Sequence, residues 1–98
     1  MTEIIWLNEV ALCPLEHLAE VSGLSFEELG DLIDSGVIEP ADRTMQPPLF
    51  RLGSVVTVNS ARRLRDDFEL DTNGLTLALR LLQRIRELER ELKALRRG

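Results

Sequence analysis

The residue types that most often perform catalysis or bind metals are rare in this chain of 98 residues. It has a single cysteine, Cys13, and a single histidine, His17. On one helical turn this pair would bring a thiol close to an imidazole, an arrangement that activates a nucleophilic cysteine. However, no third group orients the imidazole, and no further Cys or His completes a metal site. A structural pair is the favoured interpretation, so we expect no enzyme activity, no metal and no cofactor.

Carboxylates are the abundant functional groups, and they are unevenly distributed along the chain. Residues 1–50 contain ten acids and the single base Arg43, a net charge of minus nine. Residues 51–98 contain seven acids and eleven bases, a net charge of plus four. The first half is therefore expected to repel phosphate and to attract cations.

Some of these acids fall on a predicted helix between Ser25 and Gly36. Ser25 and Glu28 form a capping-box pattern that begins a helix, and Gly36 is a typical helix end. At 100° per residue, the apolar side chains fall on one face of this helix: Phe26, Leu29, Leu32 and Ile33. The acids on the opposite face are Glu27, Asp31 and Asp34.

The N-terminal part of the chain contains weaker signals. Residues 3–7 and 10–13 are predicted as two short strands joined by a turn at Asn8. A helix of two turns is predicted from Pro14, which suits a first helical turn, to Gly23, which ends it. This helix and the acidic helix after it have the arrangement of a helix-turn-helix.

Beyond the acidic helix the signals indicate a hairpin and two more helices. Residues 37–39 and 49–51 are predicted as strands flanking the loop ADRTMQPP, whose prolines exclude helix and suit a hairpin wing. A third helix is predicted from Ser54. The last helix is predicted from Asp71 or Thr72 to the C-terminus.

The last helix is longer than a domain of this size is wide, at about 39 Å for 1.5 Å per residue. Its first half has a broad apolar face that we expect to pack on the core. Its second half carries a narrower stripe of Ile85, Leu88, Leu92 and Leu95. Nothing else in the chain is left to cover this stripe, so we expect a homodimer.

The order of these elements resembles the MerR-like winged helix-turn-helix. Within that class, the chain resembles CbpM, the family of bacterial chaperone modulatory proteins, in three segments that occur in the same order: GLSFEELGDLIDSGVIEP, LFRLG and RRLRDDFELDTNGLTLALRLLQRIRELERE. The resemblance covers the chain from about Glu16. It implies a mainly α fold with a small β wing, in one domain (1–98) with a winged helix-turn-helix core over about 12–70 and a long helix over about 71–97.

The resemblance also implies a regulator. CbpM-like proteins bind the J-domain of a DnaJ-like, nucleoid-associated co-chaperone, CbpA, and block its stimulation of the chaperone and its DNA binding. A J-domain presents a basic helix to its chaperone, so acids on the inhibitor would compete for that helix. We expect six acids to form the docking surface: Glu27, Glu28, Asp31, Asp34, Glu39 and Asp42. Because charges at a rim set association rate more than affinity, we also expect an apolar anchor among Met45, Leu49 and Phe50.

Other interpretations remain open. A MerR-like DNA-binding transcription regulator is the main alternative, although its reading helix would lack Arg, Lys, Asn and Gln. Four bases could still contact a DNA backbone: Arg51, Arg62, Arg63 and Arg65. The acids also suit a merely solvated helix face, and the chain could be a dimerisation module for another partner.

The opening MTEIIWLNEV has no basic leader and only a short apolar run. We therefore expect a cytoplasmic protein that neither spans a membrane nor binds nucleic acid directly.

Overall fold

Helices dominate the part of the chain that the structure, a computed structural model, describes, which is residues 4–7 and 10–97. The elements are β1 (Ile5–Leu7), β2 (Val10–Pro14), α1 (Leu15–Ser22), α2 (Phe26–Asp34), β3 (Leu49–Arg51), α3 (Gly53–Phe68) and α4 (Thr72–Arg97). The expected mainly α class with a small sheet is confirmed, and each helix begins within one residue of its predicted start.

The three described strands form one antiparallel sheet in the order β1-β2-β3. Cys13 of β2 lies opposite Phe50 of β3, and both side chains are fully buried. Both predicted N-terminal strands form, although Ile4 lies outside β1 and β2 continues one residue further than predicted, to Pro14. The predicted turn at Asn8 lies outside the described residues. The sheet therefore forms one wall of the core.

The predicted wing hairpin is wrong in one of its two strands. β3 forms as predicted, but it pairs with β2, and residues 37–39 are not a strand. The backbone reverses at Gly36, which has a φ of 81°. The amides of Val37 and Ile38 then donate to the Leu32 carbonyl at 2.9 and 3.3 Å. These amides cap the end of α2 and are not available to a strand partner.

The turn between α1 and α2 is held by hydrogen bonds from a buried serine. The hydroxyl of Ser22 donates to the Leu18 carbonyl at 2.6 Å and accepts from the Leu24 amide at 3.1 Å. Gly23 ends α1 with a φ of 79°, a left-handed conformation that favours glycine. The predicted helix end at Gly23 is therefore confirmed, and α1 and α2 form a helix-turn-helix.

The core lies where the helices meet the sheet. Its fully or almost fully buried side chains include Leu18, Leu29, Leu32, Phe50, Val58, Ala61, Leu75 and Leu79. Every helix contributes to this list, so α2 is fixed on one face by the others. That leaves its opposite face for solvent or a partner.

The predicted apolar face of α2 is wrong at Phe26, which is 58% exposed. Phe26 lies roughly a quarter turn from the midpoint between Leu29 and Leu32, at the edge of the buried arc. Leu24, in the turn before the helix, is buried in the core.

Phe68 is likewise exposed, although it continues the helical spacing of Ala61 and Leu64 on α3. It is the last residue of α3, and Glu69 turns the chain with a left-handed φ of 52°. Leu70 then packs against the core. The helix end thus directs the apolar contact to a residue outside the helical pattern.

α4 packs against the core only through its first half. Asp71 accepts a hydrogen bond from the Gly74 amide at 2.8 Å, beside the start of the helix. Leu75 and Leu79 are buried, whereas every residue from 84 to 97 is exposed. These residues span about 21 Å along the helix axis at 1.5 Å per residue.

Candidate functional site

The outer face of α2 carries three carboxylates in a row. Glu27 and Asp34 are exposed and Asp31 is partly exposed. Among residues 4–7 and 10–97, none of these three carboxylates has a hydrogen-bond or ion-pair partner. They stand four and three residues apart, which aligns them along one side of the helix. A cationic partner could therefore reach all three.

Two of these acids lie at the end of the helix where negative charge is unfavourable. Asp31 and Asp34 belong to the last turn of α2, which has no basic residue of its own. The C-terminal end of a helix carries partial negative charge, so each acid there costs about 0.3–1 kcal/mol. Local features that oppose stability often mark functional positions.

Glu28 has a different role, because it faces α3. Arg65 Nη1 donates to both of its carboxylate oxygens at 2.7 Å, and the Ser25 amide donates to Oε1 at 3.1 Å. Partial burial acts to raise the pKa of Glu28, but the hydrogen bonds from Arg65 and Ser25 outweigh it and lower that pKa. The predicted capping box is confirmed. This carboxylate already stabilises the position of α2.

Glu39 and Asp42 lie on the segment between α2 and β3, and both are exposed. Asp42 Oδ1 accepts from the Thr44 hydroxyl at 2.6 Å and from the Thr44 amide at 2.9 Å, and these bonds lower the pKa of Asp42. Glu39 Oε1 is 3.6 Å from Arg43 Nη2. The segment thus adds acids beside the end of α2 and brings one base with them.

A depression of about 530 Å³, here named the loop depression, lies between the end of α2 and this segment. Its lining includes the exposed acids Asp34, Glu39 and Asp42 and the apolar residues Ile33, Ile38, Pro40, Met45 and Pro48. Of the three expected anchors, Met45 lines this depression, whereas Phe50 is fully buried in the core.

A second depression of about 490 Å³, here named the α4 depression, lies between α2 and α4. Its lining includes Asp31 and Asp34 from α2 together with Leu77 and Arg80 from α4. Asp34 borders both depressions. The two acids of the last turn of α2 therefore lie beside concave surfaces of different chemistry.

Comparison with known proteins agrees with this fold. Residues 13–97 match the family described as MerR HTH family regulatory protein. The chain is 35% identical over 75 residues to the chaperone modulatory protein CbpM of Escherichia coli O1:K1 / APEC, covering 76% of this chain and 74% of that protein. It is 29% identical over 77 residues to CbpM of Pseudomonas entomophila (strain L48), covering 79% and 76%. The chain belongs to the CbpM family. Both descriptions name regulators, not enzymes.

In this CbpM family member, α4 holds the end of α2 through contacts that local sequence patterns do not reveal. Arg80 donates to the Ser35 carbonyl, and Gln83 Nε2 donates to the Val37 carbonyl at 3.2 Å. A cation at the carbonyl end of a helix is favourable, so Arg80 partly offsets the acids of the last turn. These partners are 45 and 46 residues apart, so only the folded chain brings them together.

Two of the three basic residues of α3, Arg62 and Arg65, form ion pairs within the protein. Arg62 Nε is 3.5 Å from Asp66 Oδ2, and Arg65 Nε is 3.1 Å from Asp66 Oδ1. Together with the contact to Glu28, Arg65 is shared between two carboxylates. These ion pairs reduce the positive charge that this side of the CbpM fold would offer to DNA phosphates.

Cys13 and His17 are not on one helical turn. Cys13 is fully buried in β2, and burial raises the pKa of its thiol, which opposes thiolate formation. His17 lies on α1. Among the described residues, no group of three or more His, Cys, Asp or Glu side chains could hold a metal ion, and no helix is both long and apolar enough to cross a membrane.

The exposed apolar stripe of α4 is longer than predicted. Its members are between 46% and 78% exposed: Leu77, Leu81, Ile85, Leu88, Leu92 and Leu95. Their spacing of three or four residues keeps them on one side of the helix. The dimer predicted through Ile85, Leu88, Leu92 and Leu95 stays a prediction.

Proposed function

We propose that this chain modulates a chaperone system by binding the J-domain of a DnaJ-like, nucleoid-associated co-chaperone of the CbpA type. Binding would inhibit both the co-chaperone activity and the DNA binding of that partner. The proposal rests on the CbpM family and on one observation about the helix that a helix-turn-helix regulator would insert into DNA. On this helix, Glu27, Asp31 and Asp34 have no basic partner within the described part of the chain. We also propose a cytoplasmic location, because this partner acts on the nucleoid.

The chemistry of the surface supports a basic partner. Three aligned carboxylates on α2, extended by Glu39 and Asp42, would attract a helix rich in Lys and Arg and speed its association. Glu28 contributes less, because Arg65 already neutralises it at 2.7 Å. The same surface would compete with the acidic face that the chaperone itself offers to a J-domain.

We further propose that two copies pair through the stripe of Ile85, Leu88, Leu92 and Leu95. Burying a leucine contributes roughly 1.5–3 kcal/mol, and mixed charges beside an apolar stripe suit helix pairing. An exposed stripe of this length on a lone helix is uncommon in a monomer. Asp31 and Asp34 lie beside the first half of α4, near Leu77 and Arg80, whereas this stripe belongs to its second half, so pairing would leave these two acids accessible.

A titration separates this function from its main alternative. The chain is titrated by calorimetry with an isolated CbpA-type J-domain and, separately, with duplex DNA, both at about 0.1 M salt, where surface charges are only partly screened. We expect saturable binding to the J-domain and none to DNA. The MerR family description favours DNA regulation, so saturable binding to one duplex, weakened in Arg51→Ala or Arg63→Ala, would establish the alternative and refute our proposal.

A further inference from the structure

We propose that the loop depression receives one apolar side chain from a basic helix of the partner, while its acidic rim binds the Lys and Arg residues that flank that side chain. The inference rests on the proposed function, because the J-domain is the source of that helix. It adds a specific apolar contact to a surface so far described only by its charge.

The walls of the depression are preformed. The end of α2 is capped by the amides of Val37 and Ile38. The segment after it is closed by the Ala41 amide, which donates to the Leu49 carbonyl at 2.8 Å, and by the Met45 amide, which donates to the Asp42 carbonyl at 3.2 Å. A site built from backbone hydrogen bonds loses little conformational entropy when it binds.

The lining identifies the occupant. Ile38 is buried and Met45 is partly buried, so they form an apolar floor, whereas Asp34, Glu39 and Asp42 are exposed around it. A volume of about 530 Å³ lies within the range of ligand pockets and accommodates a large side chain. Arg43 is the one base in the lining, and Glu39 is 3.6 Å from it. An acidic or phosphorylated segment would be repelled, and an apolar residue between bases is complementary.

The α4 depression is less suited to the same occupant. Arg80 lies within it and donates to the Ser35 carbonyl, so a positive charge already offsets Asp31 and Asp34. Its apolar residue, Leu77, is exposed and continues the stripe that we assign to dimer formation. The positive charge of Arg80 and the position of Leu77 in the α4 stripe therefore make the loop depression the better site for a basic helix.

The test compares three substitutions in the full chain. Met45→Ser removes the apolar floor, Met45→Leu preserves it, and Leu77→Ser alters the neighbouring depression on the other side of Asp34. We expect Met45→Ser to raise the Kd for the isolated J-domain about tenfold, as for a buried interface contact. Met45→Leu and Leu77→Ser should stay within about twofold of the unaltered protein, and circular dichroism should show all three folded. Unaltered affinity in Met45→Ser, or an equal loss in Leu77→Ser, would overturn the proposal.

A second measurement keeps this inference distinct from the proposed function. A synthetic amphipathic helix of alternating Lys and Leu blocks is added to the ¹⁵N-labelled protein, and amide shifts are followed by NMR. We expect the largest shifts at residues 36–48, reduced in Met45→Ser. If the J-domain does not bind but the peptide does so at these residues, the proposed partner is wrong and the docking site stands. If the largest shifts lie elsewhere, the docking site is wrong.

Discussion

α2 and the distal half of α4 use the same residue types in opposite ways. The apolar positions of α2 are mostly buried, as at Leu29 and Leu32, and its carboxylates face outward. In α4 the apolar positions beyond residue 83 are exposed together with the charges around them. An apolar face that stays in water indicates a missing partner more directly than a charged face does, because charge is already stable there.

Each of the two helices also carries a feature that lowers the stability of the isolated protein. In α2 this feature is charge, since Asp31 and Asp34 oppose the helix dipole. In α4 it is hydrophobicity, since the stripe up to Leu95 is uncovered. We therefore expect two contacts of different character: a fast, salt-dependent one on α2 and an apolar, concentration-dependent one on α4.

The largest expected effect comes from removing the distal stripe. Truncation after Arg86 deletes Leu88, Leu92 and Leu95, whose burial in a dimer would contribute roughly 4.5–9 kcal/mol from each copy. Light scattering should show a dimer for the full chain and a folded monomer for the truncated one. The core contacts of Leu75 and Leu79 remain, so circular dichroism should report an intact fold.

Two outcomes would contradict this prediction. One is a full-length protein that is monomeric at tens of micromolar. The other is a truncated form that stays dimeric, which would move the contact to another exposed apolar residue, such as Trp6 on β1.

The next largest effect concerns the acids of α2. The triple variant Glu27→Gln, Asp31→Asn and Asp34→Asn should slow J-domain association by about tenfold at low salt, since charge steering raises association rates by that order or more. Stopped-flow measurements across a salt series should also show a flatter dependence. A matched control is Glu87→Gln with Glu89→Gln and Glu91→Gln, which removes three charges from α4. Equal slowing in both variants would mean that only net charge matters.

Local sequence patterns predicted most of the helices of this fold. They could not predict which residues distant in the sequence come into contact. Helix ends depend on neighbouring residues, so the sequence predicts them, as at Gly23, at Gly36 and at the capping box of Ser25. The pairing of β3 with β2 joins Cys13 to Phe50, and no local pattern chooses between that partner and residues 37–39.

In the candidate site, too, the sequence predicts the features that depend on local periodicity and misses those that depend on long-range contacts. The outward acids of α2 follow from helical periodicity. The engagement of Glu28 by Arg65 does not, because the two are 37 residues apart. The loop depression also depends on how the segment after α2 folds back.

A smaller effect isolates the ion pair that fixes α2. Glu28→Gln retains the capping-box geometry but removes the charge that Arg65 binds. Both side chains are less than a third exposed, at 27% and 29%, so we expect a loss of about 1 kcal/mol near neutral pH. Because the folded-state pKa of Glu28 is lowered, its contribution is present above the unfolded value of about 4.3 and is lost as pH falls through the folded value.

Chemical denaturation near pH 7 and near pH 3 tests this dependence on the ionised carboxylate. The difference between the unaltered protein and Glu28→Gln should shrink at the lower pH. Glu91→Gln is the control, because this exposed glutamate lies away from both ends of α4 and forms no ion pair among residues 4–7 and 10–97. A difference that grows on acidification would mean that the charge of Glu28 does not stabilise the fold.

The smallest effect is the most specific, because its sign differs between two acids on the same face of α2. Glu27 lies in the first turn, where the helix dipole favours a negative charge, and Asp34 lies in the last turn, where it does not. Glu27→Gln should therefore lower the free energy of unfolding, and Asp34→Asn should raise it, each by about 0.3–1 kcal/mol. Arg80, which donates to the Ser35 carbonyl, should reduce the gain at Asp34. Both variants should nevertheless slow J-domain association.

Two results for Asp34→Asn would contradict these expectations. If the variant stabilises the fold without affecting association, the carboxylate of Asp34 lies outside the docking surface. If it destabilises the fold, this carboxylate stabilises α2 and our assignment of a stability cost is wrong.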